Sequence, residues 1–288
     1  MIVKILGGYF YVHDGARVRP CVVRGRVKAR ERLLVGDRVL LSALPDGKGV
    51  VEEVRPRVNS LGRPPVANVD QAVLVFSFAQ PPPDLFLLDR LLVLAAYAGV
   101  TPLVVASKAD LAANAAAHTW PAIYRRAGYE VLVTSTVTGA GLEALAAALA
   151  GRISVLAGPS GSGKSSLLNA LAPQLLRKTG DISRRLGRGR HTTREVTLLP
   201  LSGSGWVADT PGFSVLELPP LEERELAGYF PEIAALSERC RFTGCLHYRE
   251  QGCAVKQGVA GGLVAPSRYE HYKSFLKEIL ARERKSPD

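Results

Sequence analysis

The sequence predicts a multidomain fold: a small β-barrel, then an α/β domain on a mostly parallel sheet, then a small, mainly helical C-terminal domain. Three observations carry this. Residues 1 to 60 hold short apolar stretches broken by turn signals. From Val69 onward, strand and helix patterns alternate. After Pro219 and Pro220 the composition shifts to a cysteine cluster and a final helix. The expected boundaries are 1–64, 65–218 and 219–288.

The barrel comes from five apolar stretches: 2–6, 9–12, 18–23, 38–41 and 49–54. Gly7-Gly8, Asp14-Gly15, Gly36-Asp37 and Asp46-Gly47 separate them as turns. Five short strands in a basic segment suit an OB-type barrel, which often binds RNA or DNA, and an SH3-like barrel would leave the same pattern. Pro56, Pro64 and Pro65 read as a linker. Beyond it, residues 71–78 form a continuous apolar strand, 85–97 a helix and 101–106 a second buried strand. A helix over 112–127, a strand over 130–133, an Ala/Leu helix over 142–150 and a strand over 153–157 follow. Residues 195–201 and 206–208 read as an antiparallel pair. In the last segment Ser267 with Glu270 suggests a capping box, ahead of an apolar stripe of Tyr272, Phe275, Leu276 and Ile279.

The net charge is +11, which favours polyanionic partners. The basic residues cluster. One group is Arg24, Arg26, Lys28, Arg30 and Arg32, and another is Arg177, Lys178, Arg184, Arg185, Arg188, Arg190 and Arg194. No secretory h-region follows Met1, and the longest apolar run, 91–106, is short for a membrane span and divided by Pro102. The expectation is a cytoplasmic monomer with no membrane attachment and reduced cysteines.

The most specific motif is Gly158-Pro159-Ser160-Gly161-Ser162-Gly163-Lys164-Ser165, with Ser166 following. It matches G-x-x-x-x-G-K-[ST] and lies between a strand and a helix, as a phosphate-binding loop requires. Its glycines let backbone N–H groups turn toward phosphates, and the helix N-terminus adds partial positive charge. Lys164 is placed for the β- and γ-phosphates and Ser165 for Mg²⁺. Downstream, Asp209-Thr210-Pro211-Gly212 ends a strand. Asp209 would hold the Mg²⁺ shell and the Gly212 N–H would meet the γ-phosphate. Between the two motifs lies a Gly/Arg-rich stretch containing His191, Thr192 and Thr193. It suits a switch loop in which Thr193, or else Thr192, closes on Mg²⁺.

Guanine presents N1–H and N2–H₂ donors on one edge, which a carboxylate accepts. Ser107-Lys108-Ala109-Asp110 follows a buried strand and resembles the N-K-x-D guanine motif of GTPases. Asp110 would accept from the base and the Lys108 stem would cover its face; alternatively Asp110 only caps the next helix. Ser135 and Thr136 follow the next strand and resemble the loop that meets the guanine O6. Both base motifs precede the phosphate loop. That order is circularly permuted, and permutation keeps the same sheet if the old termini were adjacent.

Cys240, Cys245, His247 and Cys253 supply three thiolates and one imidazole within fourteen residues. That donor set suits one closed, structural zinc per chain. Cys21 reads as a buried barrel residue.

The permuted motifs, the G-R-G-R-H-T-T segment and C-R-F-T-G-C-L-H-Y-R-E-Q-G-C-A-V-K-Q closely resemble the bacterial ribosome small-subunit-dependent GTPase A family. The resemblance covers nearly the whole chain. It implies an OB-fold, a permuted GTPase domain and a zinc domain. It also implies a role in late maturation of the 30S subunit and its 16S rRNA, with 30S binding stimulating hydrolysis of GTP to GDP. The family pattern has asparagine where this chain has Ser107. Asparagine would contact guanine N7 and brace the phosphate loop, so the shorter serine implies weaker nucleotide binding, with guanine selectivity kept through Asp110. Many GTPases place a glutamine after D-x-x-G, but Phe213 follows Gly212 here. His191 is the candidate for positioning or deprotonating water, or else for contacting RNA. Two other classes stay open: an RNA-binding assembly module using nucleotide only as a latch, and a P-loop NTPase or small-molecule kinase with a non-ribosomal partner.

Overall fold

The computed structural model describes residues 1–25, 32–62, 64–112, 119–173, 196–201, 205–209 and 217–283. Thirteen strands are described within them. Eleven form one sheet.

The N-terminal strands are β1 (Ile2–Leu6), β2 (Tyr9–His13), β3 (Val18–Val23), β4 (Val39–Ala43) and β5 (Gly49–Val54). Their order in the sheet is β1-β2-β3-β5-β4. β3 and β5 run parallel and the remaining pairs antiparallel. A five-stranded Greek-key order of this kind fits a partly open OB barrel. Ile2, Val12, Cys21, Leu33 and Val51 fill its interior, so the lone N-terminal cysteine is a core residue as expected. Buried Asp37 ties the strand ends together: its carboxylate accepts from Arg57 Nε at 2.6 Å and from the Leu34 N–H at 2.7 Å.

The expected linker is not one. β6 (Ser60–Gly62) and β7 (Pro65–Ala67) pair antiparallel as a hairpin. Val66 also bridges Val35 and is fully buried. Pro65 opens a strand that lies outside the large sheet, a position that tolerates proline.

The larger sheet region contains β8 (Gln71–Ser77), β9 (Thr101–Ser107), β10 (Val131–Val133), β11 (Ile153–Ala157), β12 (Thr197–Pro200) and β13 (Trp206–Asp209). Every residue of β8 and β11 is buried, which is why both are mostly apolar rather than alternating. The order is β10-β9-β8-β11-β13-β12. The first five of these run parallel and β12 is antiparallel to β13. β12 also pairs with β1, joining this region to the barrel strands through Lys4 and Thr197.

The helices are α1 (Leu85–Tyr97), α2 (Trp120–Arg126), α3 (Leu142–Leu149), α4 (Lys164–Leu171), α5 (Pro231–Ser237), α6 (Ala254–Ala260) and α7 (Pro266–Glu283). Of the helix expected over 112–127, residues 113–118 lie outside the described residues; α2 spans Trp120–Arg126 after Thr119, and a 3₁₀ turn occupies Ala109–Leu111. The capping box is also corrected. α7 begins at Pro266 and the Tyr269 N–H bonds the Ala265 carbonyl, so Ser267 lies inside the helix. Among the described residues no helix is long and apolar enough to cross a membrane.

A separate C-terminal core gathers Phe230, Ile233, Val255, Tyr272, Phe275 and Leu276, and α1 contributes Val93 to it. An ion-pair hub reinforces that contact. Arg268 of α7, 1% exposed, bonds Asp89 of α1 at 2.6 Å and Glu232 of α5 at 2.6 Å. Asp89 also accepts from Tyr124 at 2.7 Å and pairs with His271 at 2.6 Å.

Candidate nucleotide and metal sites

The parallel strands end along one edge, and the phosphate and base motifs lie there. β11 is the switch point. Within this region β8, β9 and β10 lie on one side of it and β13 and β12 on the other, and α/β sheets bind ligands at such a reversal. Because order in space does not depend on where the chain starts, the base motifs can precede the phosphate loop without changing the edge.

Gly158 leaves β11 at φ +138°, and a Cβ there would lie 2.1 Å from the Val75 carbonyl oxygen. Only glycine fits. Gly163 at φ +96° caps α4. Lys164 donates to the Gly158 and Pro159 carbonyls at 2.9 and 2.7 Å, and burial lowers its pKa. Ser165 is half-buried in the first turn of α4, while Ser160, Gly161 and Ser166 are exposed. The Ser162 hydroxyl is fully buried with no partner among the described residues.

Ser107 ends β9 opposite Ser77. Its hydroxyl donates to the Ser162 carbonyl at 2.5 Å, with the Phe76 carbonyl 3.3 Å away. The shorter serine therefore does reach the phosphate loop, and bracing survives the loss of asparagine. Lys108 adopts φ +56° and its ammonium donates to the Gln80 carbonyl at 2.6 Å. Gln80 belongs to the proline-rich turn after β8, which also packs on the loop: a Cβ at Gly161 would lie 3.6 Å from Pro81. That turn escaped the sequence reading because its contribution is a backbone carbonyl.

Asp110 sits in the 3₁₀ turn, exposed, and accepts from the Ser135 hydroxyl at 2.5 Å. Its carboxylate reaches across to the neighbouring loop. Ser135 is buried and accepts from the Val137 and Thr138 N–H groups at 3.2 Å each. Thr136 is exposed beside it. Gly141 closes the loop, and a Cβ there would lie 2.0 Å from the Val133 carbonyl. The two base motifs are thus in direct contact, 25 residues apart in sequence.

Asp209 ends β13 next to β11, where Ala208 aligns with Val155, so its backbone lies beside the start of the phosphate loop. His191, Thr192, Thr193, Gly212, Phe213 and the cluster from Arg177 to Arg194 lie outside the described residues, as do Arg26, Lys28 and Arg30.

The four metal-ligand candidates converge, with all ligand atoms within 4.8 Å of one another. His247 Nδ1 lies 3.5 Å from Cys240 Sγ and 3.4 Å from Cys253 Sγ, and the two sulfurs are 3.9 Å apart. Tetrahedral zinc with Zn–S of about 2.3 Å needs ligand spacings of roughly 3.5–3.8 Å, so the cluster fits. Burial and the facing sulfurs push the Cys245 thiol up to about 12. Burial also raises the Cys253 thiol, and a bound cation would favour the thiolate at both. Burial lowers the His247 pKa, which favours the neutral, ligating imidazole.

Sequence reading missed Ser237. Its hydroxyl donates to the Ile233 carbonyl at 2.8 Å and lies 2.9 Å from His247 Nε2. Having given its proton away, it accepts from Nε2–H, leaving Nδ1 as the ligand atom. Glu250 accepts the Leu246 and Tyr248 N–H groups, and Tyr269 and Tyr272 hold the carbonyls of His247 and Leu246.

Two family models match the chain. One is described as the RsgA GTPase, over residues 54–219, and the other as the RsgA N-terminal domain, over residues 1–51. Among curated proteins, the small ribosomal subunit biogenesis GTPase RsgA of Moorella thermoacetica is 50% identical over 284 residues, 98% of each chain. That of Geobacillus thermodenitrificans is 51% identical over 286 residues, covering 98% of this chain and 97% of its own. Among solved structures, YloQ, described as a circularly permuted GTPase, superposes with TM-score 0.82 at 39% identity, covering 100% of this chain and 95% of its own. YjeQ from Thermotoga maritima superposes with TM-score 0.84 at 36% identity, covering 97% of each.

Proposed function

The chain belongs to the RsgA GTPase family, and we propose that it hydrolyses GTP as a switch in late assembly of the small ribosomal subunit, stimulated by that subunit. That it is a GTP-hydrolysing enzyme follows from the family. The observation that best supports a guanine-specific site is the Asp110–Ser135 contact beside the braced phosphate loop. In this reading the Asp110 carboxylate would accept from the N1–H and N2–H₂ of guanine.

In this reading residues 158–166 hold the phosphates. Lys164 exchanges its two loop carbonyls for β- and γ-phosphate oxygens, regaining a strong anionic partner. Ser165 and Asp209, joined by Thr193 in the triphosphate state, would hold Mg²⁺, which when bound neutralises charge on the β/γ oxygens. Lys108 covers the base and the loop at Ser135 and Thr136 meets its O6. His191 positions or deprotonates the attacking water. One zinc held by Cys240, Cys245, His247 and Cys253 fixes the C-terminal unit. Residues 1–64 act as an RNA-binding barrel, 65–218 as the nucleotide domain and 219–288 as the zinc-held flank. The protein works as a cytoplasmic monomer on the 30S subunit and its 16S rRNA.

Phosphate release from GTP, with and without purified 30S subunits and with ATP as control, tests this. Strong 30S stimulation confined to GTP is expected. Equal use of ATP, or no stimulation, would reject the ribosome-coupled switch. His191→Ala should lose stimulated turnover while binding the 30S subunit normally; unaltered turnover would remove His191 from the chemistry.

A further inference from the structure

Where the barrel strands meet the large sheet, a cleft of about 640 Å³ opens between the β1–β2 hairpin and the β12–β13 pair. That volume lies in the range of roughly 300–1,000 Å³ usual for ligand sites. Its walls are mostly apolar and aromatic. Trp206 and His13 meet edge to face with ring centroids 5.0 Å apart, and Tyr11 and Pro200 line the same space. Two cations, Lys4 and Arg17, also line it. No ion pair engages either side chain among the described residues, and no described lining residue is acidic. His13 Nδ1 accepts the Gly15 N–H at 3.3 Å, so Nε2 carries the proton and is a donor.

Aromatic faces, an N–H donor and cations outside any described ion pair match one ligand chemistry; the carboxylate at the rim, Asp14, is engaged by Arg19 and by the Ala16 and Arg17 N–H groups. A nucleobase stacks on the rings and its flanking phosphates meet the cations. We propose that this cleft binds an unpaired nucleotide of single-stranded RNA. The inference rests on the proposed association with RNA and adds a specific place for it. The position has a consequence for the switch. β12 is the strand that follows the candidate switch stretch in sequence, and Lys4–Thr197 is where it meets the barrel. A nucleotide wedged there contacts both sides of that junction, so RNA occupancy and the arrangement of β12 depend on each other.

The two tryptophans make the test direct. Trp120 is 4% exposed and lies outside the cleft, whereas Trp206 lines it. The full-length chain carrying Trp120→Phe, with the wild type alongside in case that variant folds poorly, is titrated with an eight-nucleotide oligoadenylate RNA. Adenine avoids the guanine site. Saturable quenching of Trp206 emission is expected. Arg17→Ala, at an exposed position, should weaken binding about tenfold. It should also flatten the log K against log salt slope by roughly 0.7 for one lost phosphate contact on a single strand. RNA binding without quenching, or quenching that Arg17→Ala leaves intact, overturns the proposal. Equal quenching by polyglutamate also overturns it and assigns the cleft to an acidic protein partner. No GTP turnover enters the readout, so this can fail while 30S-stimulated hydrolysis succeeds, and the reverse.

Discussion

At the scale of residues, the nucleotide site depends on short side chains that bond loops to each other. The Ser107 hydroxyl satisfies a buried loop carbonyl, and leaving such an acceptor unmet costs about 1–3 kcal/mol. Ser107→Ala should therefore weaken GTP and GDP alike, by roughly 5- to 100-fold, with the preference over ATP intact. Asp110→Ala should do the opposite, erasing the preference because N1–H and N2–H₂ lose their shared acceptor. Titration with fluorescent guanine and adenine nucleotides separates the two, and equal loss of selectivity in both variants would refute the division of labour. Ser107→Asn exchanges the hydroxyl brace for an amide that can also reach guanine N7, so any change in GTP affinity weighs the N7 contact against the lost hydroxyl. Ser237 plays the analogous part at the metal cluster. Ser237→Ala frees the His247 ring to turn and offer either nitrogen, so zinc affinity should fall about 10- to 100-fold in a chelator competition. An unchanged affinity would show that the cysteines alone fix the site.

At the scale of elements, much was legible because burial writes itself into sequence. β8 is buried throughout and reads as an apolar run; α1, buried in the sheet core on one face and against α7 on another, reads as a helix. Turn glycines marked the barrel strands. What was not legible depends on partners distant in sequence. A proline-rich stretch reads as a linker until Val66 finds Val35 and makes it a hairpin. Ser267 reads as a cap until Pro266 starts the helix. Asp89 and Arg268, 179 residues apart, each look like an ordinary surface charge within an amphipathic helix. Yet they form the buried hub that docks α7 on α1. Arg268 is held over the Phe230 ring at 4.6 Å as well as between two carboxylates. Removing one partner of such a set strands the others, at a cost of about 3–5 kcal/mol. Arg268→Met should lower the melting temperature sharply, and adding Asp89→Asn should recover part of the loss by removing one stranded charge. Melting of the single variant within a degree of wild type would show that apolar packing alone docks α7.

At the scale of the molecule, the metal cluster, the C-terminal core and the nucleotide edge form a connected series. The cluster fastens the segment between α5 and α6. Tyr269 and Tyr272 run from that segment's carbonyls into the core of α7. α7 grips α1 through Arg268–Asp89 and through Arg90–Glu278, where two bonds of 2.8 and 3.2 Å join guanidinium to carboxylate. α1 starts at Leu85, capped by Asp84, directly after the turn whose Gln80 carbonyl holds Lys108. Stripping zinc removes the bonds that would link the four ligand side chains, and the segment between α5 and α6 loses its main tie. The phosphate loop does not share that dependence, since β11, β8 and Ser107 hold it from within the sheet. Zinc removal by a tight chelator should therefore lower the melting temperature of the C-terminal unit first, as a separate transition. Guanine nucleotide affinity should fall only modestly, through loosened α1 and Lys108, and by less than Asp110→Ala causes. Readdition of zinc should restore both. A single transition with unchanged midpoint would mean the apolar core carries the C-terminal unit unaided. Complete loss of nucleotide binding would mean the phosphate loop leans on the zinc-held flank after all.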